Sequence, residues 1–393
     1  MAQYEVAVVG AGLLGLATAR ALAARGRDVA VVEQATVGHP GGGSHGSCRI
    51  FRLGYPDPGY VTMATRSRRL WHDLEAESGR VILHPVPQLT FGPGLAAVHD
   101  GMRAAGAPAE LLTGAEAAER FPGVAAGGPA LLEPESCVTA ADQALAALAA
   151  AAPPVRTGFR VTSVADDGRE VTLRSADGGV LTARSVVLCA GPWTAALAAQ
   201  AGLRVPSAPT LEQVAYLAPA DGTGPADGTG PGGGTGAGGS TGAGGSAWPA
   251  MPIFIHQPEP APYGLPVPGS RLYKMGIHPS GPPADLSRLT QQEDAALAGR
   301  FREVAARFLP SHQPVAVRSE RCVYDSTPDD DFVLDRSGLV VAGCGTSGHG
   351  FKFGPLLGGW LASLALGEAP DPAAARFALG RFSRPAGAST GSP

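Results

Sequence analysis

The segment from Tyr4 to Glu33 restricts this chain more than any other. An apolar run, Tyr4 to Val9, leads into Gly10-Ala11-Gly12-Leu13-Leu14-Gly15, then an alanine-rich stretch to Arg25, then Val29-Ala30-Val31-Val32 ending on Glu33. The pattern reads as strand, glycine turn, helix and strand, closed by a carboxylate. Each part has a task in holding a dinucleotide. Gly10 permits the tight turn, Gly12 lets the backbone approach a pyrophosphate at the helix N-terminus, and Gly15 lets the helix pack closely on the strand. Glu33, 18 residues beyond Gly15, is placed to accept hydrogen bonds from a ribose 2′-hydroxyl; it would repel a phosphate there, which disfavours NADP. A glycine triplet alone also occurs at tight turns of unrelated α/β proteins, so the flanking strand, helix and acid carry the signal. NAD and FAD both stay open.

Two later segments bear on that choice. Ala183 to Trp193 is a strand pattern running into Gly191, and Gly338 to Gly343 is another, followed by a glycine-rich turn and a helix-like run from Leu356 to Leu366. Strand-to-glycine turns at both places suit a sheet that wraps one long cofactor from several sides. An FAD site often needs the carboxyl-terminal part of a chain; an NAD site seldom does. Purely structural turns are the other explanation of either segment.

The chain has 393 residues, a formal net charge of −4 and 44% hydrophobic residues, enough to bury one large core or two moderate ones. Without a basic run there is no electrostatic footprint for nucleic acid or for an anionic membrane surface. No stretch of 18 apolar residues is present, so no membrane span is expected. The amino terminus enters a strand pattern without a basic leader, and a cytoplasmic protein is expected. The five cysteines lie far apart with no C-x-x-C pair, which indicates neither a metal site nor a disulfide scaffold.

Thr90 to Leu132 and Val205 to Val317 carry strand-like runs and helices such as Gln291 to Phe308, with no further nucleotide signature. Within them, Pro219 to Ser246 is built of Gly, Ala, Thr, Ser, Pro and two Asp. Such a stretch cannot bury apolar surface to offset its ordering entropy and reads as a flexible surface loop.

Three further segments are distinctive: Ser44-His45-Gly46-Ser47-Cys48-Arg49-Ile50-Phe51-Arg52, Arg321-Cys322-Val323-Tyr324 and Gly348-His349-Gly350-Phe351-Lys352. With the Gly10 to Glu33 unit, in this order and at these separations, they make the chain resemble the monomeric sarcosine oxidase and N-methyltryptophan oxidase family of flavoenzymes, within the D-amino-acid-oxidase-like fold. The resemblance runs nearly end to end, apart from the glycine-rich loop. It implies an α/β protein with a Rossmann-like, discontinuous FAD-binding domain (1–80, 137–206 and 318–393). A second α+β substrate domain (81–136 and 207–317) would be built on a mixed or antiparallel sheet, with 219–246 as the loop.

The resemblance implies FAD held by Gly10, Gly12, Gly15, Glu33, Ser44, Gly191, Gly348, His349 and Gly350, and joined covalently through the flavin 8α-methyl to Cys322. A thiolate is the nucleophile in such chemistry and nearby cations stabilise it; Arg318 and Arg321 are close in sequence, while a buried structural cysteine is the other reading. His45 and Arg49 would lie against the flavin ring, where fixed positive charge favours reduction. Arg52 and Lys352 would hold the substrate carboxylate, a task for which the planar fork of Arg is suited. Cys48 departs from the hydroxyl residue common in relatives. Tyr263, His278 and Tyr324 match residues that line the substrate site.

Of 30 basic residues only Lys274 and Lys352 are lysines, and both fall on positions the family uses. Lys274 resembles the lysine near flavin N5 that activates oxygen, since a compact ammonium stabilises superoxide at a dry site. The expected protein is a monomeric FAD-dependent oxidase of secondary or N-methyl amino acids. It would oxidise the C–N bond to an imine and reduce O2 to H2O2. The alternatives are a biosynthetic oxidase of a cyclic amino or imino acid, pipecolate-like, and an FAD dehydrogenase using another electron acceptor.

Overall fold

The computed structural model describes residues 2–222 and 251–383. The opening unit forms as its pattern predicts. Strand Tyr4–Val9 lies between Val29–Val32 and Val180–Leu188, parallel to both, and Val340–Cys344 extends the parallel core on the far side of Val180–Leu188. These strands are apolar on both faces because helices cover one face and further structure the other. Helix Leu13–Ala23 packs on helix Gly354–Ala365, and the contact is close because a Cβ at Gly358 would come within 2.6 Å of the Ala17 backbone. Helix Pro58–Ser78 is started by Asp57, whose side chain accepts from the Gly59 amide, and buries Trp71 completely against the same layer.

The second sheet has eight strands, all antiparallel except for the pairing of Ile253–His256 with Gln88–Phe91. It is therefore mixed. At one edge the long strands Ala208–Pro219 and His312–Ser326 pair along almost their whole length. Helix Ala295–Phe308 crosses this sheet; it begins later than Gln291 because Asp294 caps the Ala296 and Leu297 amides. A three-stranded sheet, formed by Cys48–Phe51, Leu83–Pro85 and Cys137–Ala140, stands beside the two large ones.

The expected domain boundary between 317 and 318 falls inside one continuous strand. His312–Ser326 belongs throughout to the second sheet, so Arg318 to Ser326 extend that sheet and do not start the return to the first. The alternating polar residues of His312 to Glu320 concealed this continuity. Of the low-complexity stretch, Pro219 ends a strand opposite His312, and the residues from 223 onward lie outside those described.

Candidate active site

Two adjoining cavities lie between the sheets. The first, of ≈ 360 Å³, is lined at one end by Glu33, His39 and Arg160, along its length by Gly10, Gly12 and Ser44, and at the other end by Gly348, Gly350 and Phe351. The glycines leave this space open. Gly10 has φ +99°, and a Cβ there would sit 2.4 Å from the Cys189 carbonyl oxygen; one on Gly15 would sit 1.8 Å from the Gly10 carbonyl oxygen. The carboxylate of Glu33 accepts from the Ala11 amide at 2.8 Å and the Ala35 amide at 2.9 Å, which ties the turn to the end of the second strand. The Ser44 hydroxyl accepts from the Leu13 amide at 3.0 Å, at the start of the helix. Gly191, at φ +52°, has no atom within 4 Å of its missing side chain. A long cradle of glycines, a helix N-terminus and a buried acid at its far end fits a dinucleotide.

The second cavity, of ≈ 530 Å³, shares Arg49, Tyr324, Gly348 and Phe351 with the first. In one corner Lys352 Nζ donates to Tyr55 Oη at 2.8 Å and to the His349 carbonyl at 3.0 Å. Ser67 Oγ and Trp71 Nε1, one turn apart on the helix Pro58–Ser78, both donate to the Lys352 carbonyl and fix its backbone. The Arg52 guanidinium lies 4.3 Å above the Tyr55 ring, and its Nη1 is buried without a hydrogen-bond partner. Burial and the Arg52 charge hold the Lys352 ammonium well below the usual lysine range. A cationic pair that is buried and incompletely bonded is suited to an incoming carboxylate.

In the opposite corner Lys274 is 4% exposed and donates to the Cys48 carbonyl at 3.0 Å. Burial and Arg49 lower its pKa. Arg49 bonds the carbonyls of Cys48, Gly43 and His45, so its chain is wrapped by its own loop while its charge faces both cavities. His45 bonds the Gly42 carbonyl, and burial followed by Arg49 lowers its pKa. Burial raises the Cys322 thiol, and the charges that oppose this are Arg49 and Lys274. Arg318 and Arg321 do not serve the sulfur. Arg321 alternates to the other face of the strand, where it bonds the carbonyls of Glu212, Leu211 and Gln292, and Arg318 stacks over Tyr216.

Tyr263, His278 and Tyr324 line this second cavity, as the resemblance implies. Tyr263 and Tyr324 share one wall, and Gly276 leaves room for the Tyr263 ring. Burial pushes His278 down to about 4, which keeps it neutral near pH 7. The His349 ring does not line the first cavity. It lies on the wall of the second, against Tyr55, Tyr60 and Phe332, with Nε2 3.1 Å from the Asp330 carbonyl. The neighbours Gly348 and Gly350 do face the first cavity, and successive residues of the turn point to opposite sides.

Several groups escaped the sequence reading. Tyr55 holds Lys352 and carries Arg52 on its face; its place three residues after Arg52 was the available signal. Asp325, buried beside the first cavity, accepts from the Gly345 and Thr346 amides and shapes the glycine turn. The Glu133 carboxylate accepts from the Gly54 amide and from Gln88 and Thr90, anchoring the loop after Arg52. Glu320, two residues before Cys322, meets Tyr216 within the second cavity.

Comparison with known proteins agrees with this geometry. The family described as DAO, FAD dependent oxidoreductase, matches residues 5–364. The chain is 30% identical to peroxisomal sarcosine oxidase of Mus musculus, over 97% of this chain and 96% of that one. Its fold is similar to that of NikD, an unusual amino acid oxidase essential for nikkomycin biosynthesis, with a TM-score of 0.79, 25% identity and coverage of 96% and 98%. It is also similar in fold to L-proline dehydrogenase from P. horikoshii, with a TM-score of 0.79, 19% identity and coverage of 97% and 98%.

Proposed function

This chain belongs to the FAD dependent oxidoreductase family, and from that premise we propose that it is an oxidase of a cyclic amino or imino acid. The observation that carries the carboxylate half of this reading is the unpartnered Arg52 Nη1 beside Lys352. The same cavity is also lined by Gln257, Glu259 and Leu265. Its ≈ 530 Å³ would be shared by the substrate and the flavin ring, since Cys322, His45, Arg49 and Lys274 line it too. Likeness to NikD, an amino acid oxidase serving a biosynthesis, supports the same reading.

The residues divide the work. Arg52 and Lys352 bind the carboxylate and so orient the carbon bearing nitrogen. His278, neutral near pH 7, and the buried Tyr263 and Tyr324, whose phenols burial keeps neutral, wall the substrate without adding charge. Gly10, Gly12, Ser44 and Glu33 would hold the dinucleotide, and Cys322 would be the point of covalent attachment. Bound FAD supplies the two-electron acceptor that takes the C–N electrons and passes them to O2, giving H2O2. Lys274, with Arg49, keeps positive charge where oxygen gains electrons, and His45, held neutral by burial and by Arg49, lies beside them.

The sarcosine oxidase relative favours a second reading, oxidation of an N-methyl amino acid. An anaerobic screen of flavin bleaching separates the two. Rapid bleaching by pipecolate or proline with ring desaturation supports the cyclic reading. Rapid bleaching by sarcosine with release of formaldehyde on turnover replaces it with the second. Covalent attachment is checked separately: protein denatured in acid stays yellow, and Cys322→Ala releases all of its flavin under the same treatment.

A further inference from the structure

We propose that Glu320, fixed by Tyr216, is a positioning residue for Lys274, supplying the countercharge that keeps the Lys274 ammonium charged and in place before any anion forms beside it. The proposal begins with strand register. Tyr216 stands opposite Lys274 on one neighbouring strand and opposite Arg318 on the other, so the three side chains form a row across the sheet. Two residues beyond Arg318, and hence on the same face, comes Glu320.

Tyr216 is fully buried and its hydroxyl donates to Glu320 Oε2 at 2.8 Å. Ser47 Oγ lies 3.2 Å from the same hydroxyl, and the next residue, Cys48, offers the carbonyl that holds Lys274 Nζ. Lys274 Nζ is 5.7 Å from the Tyr216 ring centroid and Arg318 Cζ is 4.1 Å from it, while Arg318 Nη2 comes within 3.4 Å of Glu320 Oε1. The ring separates two cations and its hydroxyl brings an acid to them.

A countercharge is needed because Lys274 is buried beside Arg49, and both conditions favour loss of its proton. A neutral amine cannot stabilise an anion developing next to it. The groups that face Lys274 are Cys48 and Arg49 from the strand Cys48–Phe51, His45 from the turn before it, Tyr216 from the adjacent strand, and Glu320 and Cys322 from the strand beyond. Of these, Glu320 is the one carboxylate, and it acts also on His45. The catalytic meaning of the proposal rests on the oxygen role given to Lys274 above; the charge coupling does not.

Because the chain has two lysines, Lys274 and Lys352, holoenzyme grown on lysine labelled with ¹³C at Cε gives one resonance from each. Lys274→Met assigns them. Glu320→Gln should lower the titration midpoint of Lys274 by about one pH unit or more, leaving that of Lys352 in place. Glu320→Asp should restore it in large part, and Tyr216→Phe, which removes the tether and keeps the packing, should produce a smaller drop. An unmoved Lys274 midpoint in both Glu320→Gln and Tyr216→Phe overturns the proposal, as does an equal movement of Lys352. Should Glu320→Gln fail to fold, Tyr216→Phe decides alone by the same criterion. If the midpoint drops but the pH profile of flavin reoxidation does not follow it, the countercharge stands and the oxygen role of Lys274 falls.

Discussion

At Lys352 the buried ammonium shares its corner with a second cation, Arg52, whereas at Lys274 the neighbouring row of side chains brings in an acid, Glu320. Both amines are equally removed from water, at 4% exposed, so desolvation alone does not separate them. What differs is the source of the compensating charge. The acid near Lys352, Glu133, is already engaged by Gly54, Gln88 and Thr90, and Arg52 keeps a buried nitrogen unbonded. On the proposed function, that corner is finished by the substrate carboxylate. The Lys274 corner carries its own acid and is suited to an anion that exists only briefly.

The contrast is broken most severely at Arg52. Arg52→Met or Lys352→Met should reduce kcat/KM for the amino acid by about 100-fold to 1000-fold, since removing one partner of a buried charge pair costs about 2–5 kcal/mol. The loss should be read in the anaerobic reduction step, with reoxidation by O2 nearly unchanged. Lys274→Met should do the reverse, slowing reoxidation by about 100-fold while the reduction step changes far less. Stopped-flow measurement of the two half-reactions checks both, and equal losses in both half-reactions for either lysine would erase the distinction.

The smallest effect sharpens it through pH. Lys352 has a lowered pKa when the site is free, and a bound carboxylate favours its charged form. Binding of a simple carboxylate such as propionate should therefore take up a proton once the pH exceeds the Lys352 pKa of the free protein. Affinity should weaken as pH rises, by at most about tenfold per unit for one proton. Calorimetry in two buffers of different ionisation enthalpy measures the uptake, which should vanish in Lys352→Met and persist in Lys274→Met.

Much of the cofactor cradle was legible because it is local. Gly10, Gly12, Gly15 and Glu33 lie within one strand–turn–helix–strand unit, where spacing along the chain fixes spacing in space. The turn at Gly348 was legible for the same reason, but the direction of the His349 ring within it was not, since a turn of mixed left-handed and right-handed residues has no simple periodicity from which to read direction. Nearness to Cys322 in sequence says little for Arg321, because alternate residues of a strand face opposite ways, while Arg318, on the same face, is taken up by the Tyr216 ring. Glu320 and Tyr216 meet only through the pairing of two strands whose partners lie about a hundred residues apart.

By itself the sequence determined the dinucleotide unit, the presence of two sheets and the identity of the groups able to bind a carboxylate or carry a fixed positive charge. The first follows from short-range spacing along the chain; the second sheet and the carboxylate and charge assignments were implied by the resemblance to a family of flavoenzymes. The tertiary structure decided which of these groups share a dry space, and so which charges are compensated. Lys352 is left beside another cation while Lys274 is given an acid, because desolvation and Coulomb energy depend on distances that only packing sets.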